Sequence, residues 1–262
     1  DALKYPHFNP PSSPLHKGVV RDPCLPKAAW PPGFVQPATV LRYAQQIAGE
    51  HAIALGLTDA LYAKTHTAYV LVKQAIHFDR MPHVDEHLQL ITKPEALKRA
   101  VNKRITQVLD AVGRQAALVD SRWVLIDTDR RAILRKHPEE FATAHWAAEV
   151  PQELPMKMQK VPLEDCRQVG LYTATYSQCD MNGHMNNARY VDVICDALQP
   201  EVLARNFVQD LVIYYHKEVP RGGSFTLCSA APEENRWYFA GLQEGKCCFE
   251  AEMRLCPKNE MM

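Results

Sequence analysis

The residues best equipped for chemistry lie in one short stretch, Tyr176-Ser-Gln-Cys-Asp-Met-Asn-Gly-His-Met-Asn-Asn-Ala-Arg-Tyr190. Asp180, Asn182 and His184 alternate along it. An extended backbone would therefore put a carboxylate, an amide and an imidazole on one side, with Met181, Gly183 and Met185 on the other. Such a set can hold and pass a proton beside a polar substrate, which suits acyl transfer. Gly183 permits an unusual backbone angle and close approach by another group. Asn186 or Asn187 is placed to cap the apolar helix that follows. The free amides of that helix start carry partial positive charge and would stabilise an oxygen that turns negative, as in attack on a thioester. Cys179 adjoins the set, but an acidic neighbour raises a thiol pKa, and alternation points it away from His184. Each residue alone reads as a turn, cap or surface residue; their concentration ahead of an apolar helix is what indicates a site.

The elements that would position this stretch come twice. In the second half a strand at 169–176 precedes the polar loop, a helix follows at 187–198, and strands are expected at 211–219, 224–231, 236–242 and 246–255. On the helix Tyr190, Val191, Ile194, Cys195 and Leu198 form a broad apolar face. In the first half a helix begins at Pro37 and stops near Gly56, and strands are expected at 67–78, 87–92, 103–112 and 115–126. Residues 1–36 hold many of the chain's nineteen prolines and read as an extended leader, with one short strand near Val19–Val20. Residues 137–168 read as a linker. The halves align in pieces: Asp79-Arg80-Met81-Pro82 lies over Lys217-Glu218-Val219-Pro220, and Gly113 over Gly245. Arg80 thereby stands where the second half has Glu218. One helix and about four strands, repeated, give an α+β chain of two tandem hot-dog units, each a curled antiparallel sheet around a central helix. The expected division is a leader at 1–36, a first unit at 37–136, a linker at 137–168 and a second unit at 169–258.

The chain has 262 residues, 47% hydrophobic and 23% charged, which is ordinary globular composition. Thirty Lys and Arg balance thirty Asp and Glu, so bulk charge supports capture of neither nucleic acid nor anionic membrane. No apolar run reaches the length of a membrane span. Eight cysteines without a C-x-x-C pair read as reduced thiols, not as a disulfide or zinc framework. No glycine loop for a phosphate occurs, so neither a metal nor a nucleotide cofactor is expected. A cytoplasmic location is expected, or an organelle stroma or matrix if a targeting segment has been removed.

The segment around Asp180 resembles the acyl-acyl carrier protein thioesterases of the plant and bacterial type through Asp-x-Asn-x-His-x-Asn-Asn followed by x-x-Tyr. The similarity continues in Tyr69-Val-Leu-Val, Ile76-His-Phe-Asp-Arg-Met-Pro82 and Asp120-Ser-Arg-Trp-Val-Leu-Ile-Asp127 with Arg130-Arg131, and spans about residues 37–256. The resemblance implies hydrolysis of fatty acyl-acyl carrier protein to free fatty acid. It also implies a fourth site residue, a glutamate on the strand after the second helix, here Glu218. Plant members typically place Cys directly after this Glu. Val219 occupies that position here, which favours catalysis by Asp180, Asn182, His184 and Glu218. Glu218 would activate water, or Asp180 would attack to give an acyl anhydride. The first unit would lack the site and hold the acyl chain, with Trp123 a candidate contact. Two alternatives stay open: an acyl-CoA thioesterase, and a non-catalytic acyl-chain-binding relative. The implied partner, acyl carrier protein with its phosphopantetheine arm, is acidic and calls for a basic patch. Lys98, Arg99, Lys103 and Arg104, or Arg130, Arg131, Arg135 and Lys136, could form it. Exposed sheet edges of such units often pair, so a homodimer is a candidate assembly.

Overall fold

The structure, a computed structural model, describes residues 16–20, 33–142, 144 and 146–261. The leader expected over 1–36 falls outside these except at 16–20, where a strand, β1 (His16–Val20), is found, and at 33–36. In chain order follow α1 (Pro37–Ala54), α2 (Asp59–Thr65), β2 (Thr67–Phe78), β3 (Leu88–Pro94), β4 (Asn102–Leu109), β5 (Gln115–Asp127) and β6 (Ala132–Ile133). The second half has β7 (Arg167–Thr173), α3 (Asn187–Asp196), α4 (Pro200–Arg205), β8 (Asn206–Tyr215), β9 (Ser224–Glu233), β10 (Arg236–Gln243) and β11 (Lys246–Pro257). The short helices α2 and α4, seven and six residues long, are additions to the expected set. Elements of under two turns leave no periodic stripe to read.

One antiparallel sheet runs in the order β1-β3-β4-β5-β2-β8-β11-β10-β9-β7, with β6 paired to β5. Read outward from the central β2–β8 pair, the two halves have the same order. β1 corresponds to β7, β2 to β8, β3 to β9, β4 to β10 and β5 to β11. The seam pairs Lys73 with Tyr214 and His77 with Asp210. The first and second helix-and-sheet units are thus joined by an antiparallel ladder of five residue pairs without a register shift.

α1 begins where Pro37, whose missing amide costs nothing in a first turn, sets the helical φ. It ends at Gly56, whose φ of 85° lies in the region glycine enters freely. Val40, Leu41, Ala44 and Ile47 of α1 and Val191 and Ile194 of α3 are buried against one face of the sheet, where Phe78, Val119, Ile213 and Phe249 meet them. Residues 147–158 cover the opposite face: Val150 packs on Ile105 and Leu118, and Met158 on Tyr238 and Ala240. Along β2 the expected face of Val70, Val72, Ile76 and Phe78 is broken. A bulge between Leu71 and Lys73 buries Leu71 before it and Gln74, Ile76 and Phe78 after it. The extra residue of a bulge switches the side chains from one face to the other. Among the described residues no helix is long and apolar enough to cross a membrane.

Candidate active site

The Asp180–His184 run is not extended. Asp180 N donates to His184 O at 2.9 Å, Gly183 N to Asp180 O at 3.0 Å, and Gly183 has a φ of 77°. The run is a tight turn closed by pairing of Cys179 with Met185. Asp180 stabilises that turn itself: its Oδ1 accepts the backbone amides of Asn182 at 2.9 Å and His184 at 3.4 Å. Alternation along a strand therefore does not bring the set together. Asp and Asn side chains that bond their own backbone two residues on favour such turns. Cys179 is partly buried and packs against the core.

The turn is pinned to the segment after β8. Met185 N donates to Val219 O at 2.8 Å, Arg221 N to Gly183 O at 2.9 Å, and His184 bridges Pro220. Gly222 N donates to Ala174 O and Asn186 N to Gln178 O, each at 2.8 Å. β8 ends at Tyr215 because the amides of His216 and Lys217 both turn to the carbonyl of Cys248. Glu218 thus lies in the loop beyond the strand, three residues past the end of the sheet ladder with β11, and not on the strand. Val219 is fully buried, so a side chain in that position faces the core instead of the site.

These ties bring His184 Nε2 and Glu218 Oε2 to 3.5 Å, with side chains 35% and 61% exposed. Asn182 is exposed on the turn between them and solvent. Asn186 is the N-cap of α3: its side chain accepts Ala188 N at 3.0 Å and its carbonyl accepts Arg189 N at 2.8 Å. Two of the first amides of α3 are thereby taken. The carbonyl of Asn187 accepts the Tyr215 hydroxyl at 3.0 Å, tying the helix start to the end of β8. The structure thus brings Asp180, His184 and Glu218 together through backbone ties that sequence reading missed. The signal for them lay in the small residues at Gly183, Gly222 and Gly223 flanking the apolar anchors Met185 and Val219.

α3 and α1 run antiparallel. Arg42 Nη1 meets Asp192 Oδ2 at 3.1 Å, and Pro37 and Ala38 line one cavity with Cys195 and Asp196. At equal rise per residue, the start of α3 is level with about Ile47 of α1. From that level a cavity of about 270 Å³ opens in the first half between Ala48, Gly49 and Ala52 of α1 and Tyr69, Arg104 and Trp123 of the sheet. Trp123 lines it.

Of the two expected basic clusters, one does not form. Lys103 is buried, with Nζ on Val150 O at 2.6 Å and Glu95 at 3.3 Å; Lys98 pairs with Glu95 at 2.7 Å; Arg104 is buried inside. β4 is covered on both faces, so its charges turn inward. Arg130, Arg131, Arg135 and Lys136 are exposed. Among the described residues His216, Cys247 and Glu250 lie within metal-ligand reach of one another. Glu250, however, already accepts Lys160 Nζ at 2.7 Å, the Tyr238 hydroxyl at 2.6 Å and His216 at 2.8 Å. Burial pushes the Cys247 thiol up to about 12. The group is a charge-balanced brace under β8 and β11.

Sequence profiles of the acyl-ACP thioesterase N-terminal and C-terminal domains match residues 34–144 and 164–254. The oleoyl-acyl carrier protein thioesterase 1 of Arabidopsis thaliana, chloroplastic, is 23% identical over 197 residues, 69% of this chain and 54% of its own length. The chain spans about half the length of the curated relatives it matches. An acyl-ACP thioesterase structure from Bacteroides thetaiotaomicron superposes with a TM-score of 0.81 at 22% identity, covering 93% of this chain and 98% of its own. The 12:0-ACP thioesterase of Umbellularia californica does so with a TM-score of 0.80 at 17% identity, covering 94% and 98%. At these identities the superpositions establish the tandem hot-dog fold.

Proposed function

Since the chain belongs to the acyl-ACP thioesterase family, we propose that it hydrolyses fatty acyl-acyl carrier protein to free fatty acid, with Asp180, Asn182, His184 and Glu218 as its site. The observation that carries this reading is the meeting of His184 and Glu218 at 3.5 Å beside the start of α3. The thioester carbonyl would lie against the start of α3, with Asn187 N and the Asn182 amide as donors to its oxygen. Glu218, open to solvent, would take a proton from water as it attacks the carbonyl carbon, and His184 would pass a proton to the departing thiolate. The Asp180 hydrogen bonds support this water route over attack by Asp180. One of its oxygens already accepts two amides, which holds negative charge on the turn and fixes the aim of His184.

The acyl chain would run from the start of α3 along α1 into the cavity beside Gly49, which begins at the same level. The exposed run Arg130, Arg131, Arg135 and Lys136 offers the acidic carrier protein a basic surface. A panel of acyl carrier protein and CoA thioesters of graded length tests the reading. Hydrolysis of carrier-protein thioesters, faster than of the matching CoA thioesters and slowed by salt, is expected. Equal rates on both donors would move the assignment to an acyl-CoA thioesterase. No turnover with lipid retained would make it an acyl-chain binder.

A further inference from the structure

Arg104 stands apart from every other buried charge near it. Its side chain is 8% exposed, and its Nη1 meets Nδ1 of His51 and Oγ1 of Thr92, each at 3.2 Å. Neither partner is a carboxylate, and no carboxylate pairs with Arg104 among the described residues. Its neighbour Lys103 is matched by Glu95, and Asp120 by Arg122 at 2.8 Å. Asp59, the acid on the lining of the same cavity, is exposed at its rim and does not pair with Arg104. Burial lowers the pKa of the Arg104 guanidinium to about 10, which still leaves it charged at neutral pH. A guanidinium carries five N–H donors, and buried charges are ordinarily paired because desolvation without a partner is costly.

The fold does not require an arginine there. Ala116 O accepts the amides of Asp79 and Arg80 as Cys248 O accepts those of His216 and Lys217. Carried through the ladders, Ser121 corresponds to Met253, and their partners Arg104 and Trp237 correspond to each other. In the second half this position is filled by an aromatic side chain packed on the core. In the first half it presents a cation to a cavity walled by Ala48, Ala52, Tyr62, Tyr69 and Trp123, with Gln45, Asn102 and Lys103 as its other polar side chains inside the rim. Gly49 lines it at an exposed position, where an added Cβ would meet nothing within 4 Å.

A largely apolar cavity with one buried cation that no carboxylate balances, Lys103 being paired with Glu95, fits a ligand that is mostly hydrocarbon and carries an acceptor oxygen. We propose that the cavity takes acyl chains bearing an oxygen function, a hydroxyl or a carboxylate, on the part far from the thioester, and that Arg104 hydrogen-bonds that oxygen. This rests on the thioesterase reading for the identity of the chain, but not for the chemistry of the cavity.

The test compares plain, ω-hydroxy and ω-carboxy fatty acyl thioesters of acyl carrier protein over graded lengths, in wild type and Arg104→Met. Binding of the corresponding free acids is measured by calorimetry. Wild type should prefer one oxygenated series at its best length by about tenfold to a hundredfold in kcat/KM, the worth of one charge-assisted hydrogen bond. That ratio should collapse toward one in Arg104→Met. If Arg104→Met does not fold, the wild-type ratio and Arg104→Lys, which keeps the charge, carry the test. Turnover of all series with no oxygen preference overturns the proposal and leaves the thioesterase reading intact. No turnover, with the ω-oxygenated free acid binding tighter than the plain acid in an Arg104-dependent way, overturns the thioesterase reading and supports the cavity chemistry. Arg104-dependent binding of the free acid with no preference among thioesters assigns the oxygen to a separate fatty acid and overturns the substrate-tail assignment. Gly49→Leu, which fills the cavity, should lower turnover of long chains of every series more than of short ones; equal effects would overturn the placement of the chain there.

Discussion

The approach to α1 and the approach to α3 are the same piece of architecture with different side chains. Gly33 and Gly183 both have positive φ, 89° and 77°. Each is followed by a residue bridged to the opposite loop, Phe34 to His83 and His184 to Pro220. Then comes a buried anchor, Val35 or Met185, whose amide bonds Pro82 O at 2.9 Å or Val219 O at 2.8 Å. The helix caps are Gln36 and Asn186. Val84 N reaches Gly33 O as Arg221 N reaches Gly183 O. This register places Met81, not Arg80, opposite Glu218, and the alignment of the sequence pieces is off by one residue. Arg80 corresponds to Lys217 and is engaged by Glu86 and Asp110. Where the second half sets an imidazole and an acid in solvent, the first sets Phe34 and a buried Met81. One scaffold therefore presents an exposed imidazole and acid in one half and packs apolar side chains at the matching positions of the other.

The comparison can be broken most forcefully at Glu218. Glu218→Ala should lower kcat/KM on an acyl carrier protein thioester by about a hundredfold to ten-thousandfold, with the unfolding midpoint nearly unchanged because the side chain is exposed. Wild-type turnover in this variant would leave the two halves functionally alike. Met81→Ala, at the matching position, should behave in the opposite way. A buried methionine truncated to alanine costs about 2–5 kcal/mol, read in a urea melt. A stability loss below about 1 kcal/mol would mean that the Met81 site repacks and the register is loose.

Asp180 separates aim from attack. Asp180→Ala removes the acceptor of two turn amides and should cost both stability, about 1–3 kcal/mol, and turnover. Asp180→Asn keeps an acceptor oxygen and should recover most of the turnover. Full loss in Asp180→Asn would restore Asp180 as the nucleophile. A smaller contrast lies in the caps. Asn186→Ala should cost about 1 kcal/mol, the usual worth of a side-chain cap. Gln36→Ala should cost almost nothing, since Gln36 makes no cap bond.

The seam between the halves gives the smallest signal. His77 hydrogen-bonds Asp210 across β2 and β8 at 2.7 Å, and that bond, with Asp79 nearby, raises the His77 pKa above 6.5. A folded pKa above the unfolded one stabilises fully below the unfolded value. The contribution is lost as pH rises through the folded value. The melting temperature of wild type should therefore fall more than that of His77→Gln between about pH 6 and pH 8. Parallel curves would show that the imidazole contributes nothing to the seam.

Much of this was legible in the residues themselves. Pro37 and Gly56 bound α1 because one lacks an amide and the other tolerates positive φ, and both constraints are local. The period-two runs of β2 and β5 and the apolar face of α3 are likewise local, and so the doubled α+β order was read from them. Asp180, Asn182 and His184 follow from their chemical types and spacing, and Glu218 from the resemblance alone. What the sequence could not determine is how the turn at Asp180 closes, where β8 ends, and which residue faces Glu218 across the pseudo-symmetric halves. Those depend on carbonyls and amides of distant segments, such as Val219 with Met185 and Cys248 with His216, and a backbone group looks the same in every residue. Burial had the same origin: Lys103 and Arg104 read as surface charge until both faces of β4 were seen to be covered. Side-chain chemistry is written in the chain one residue at a time, whereas pairing and enclosure exist only once the strands have met.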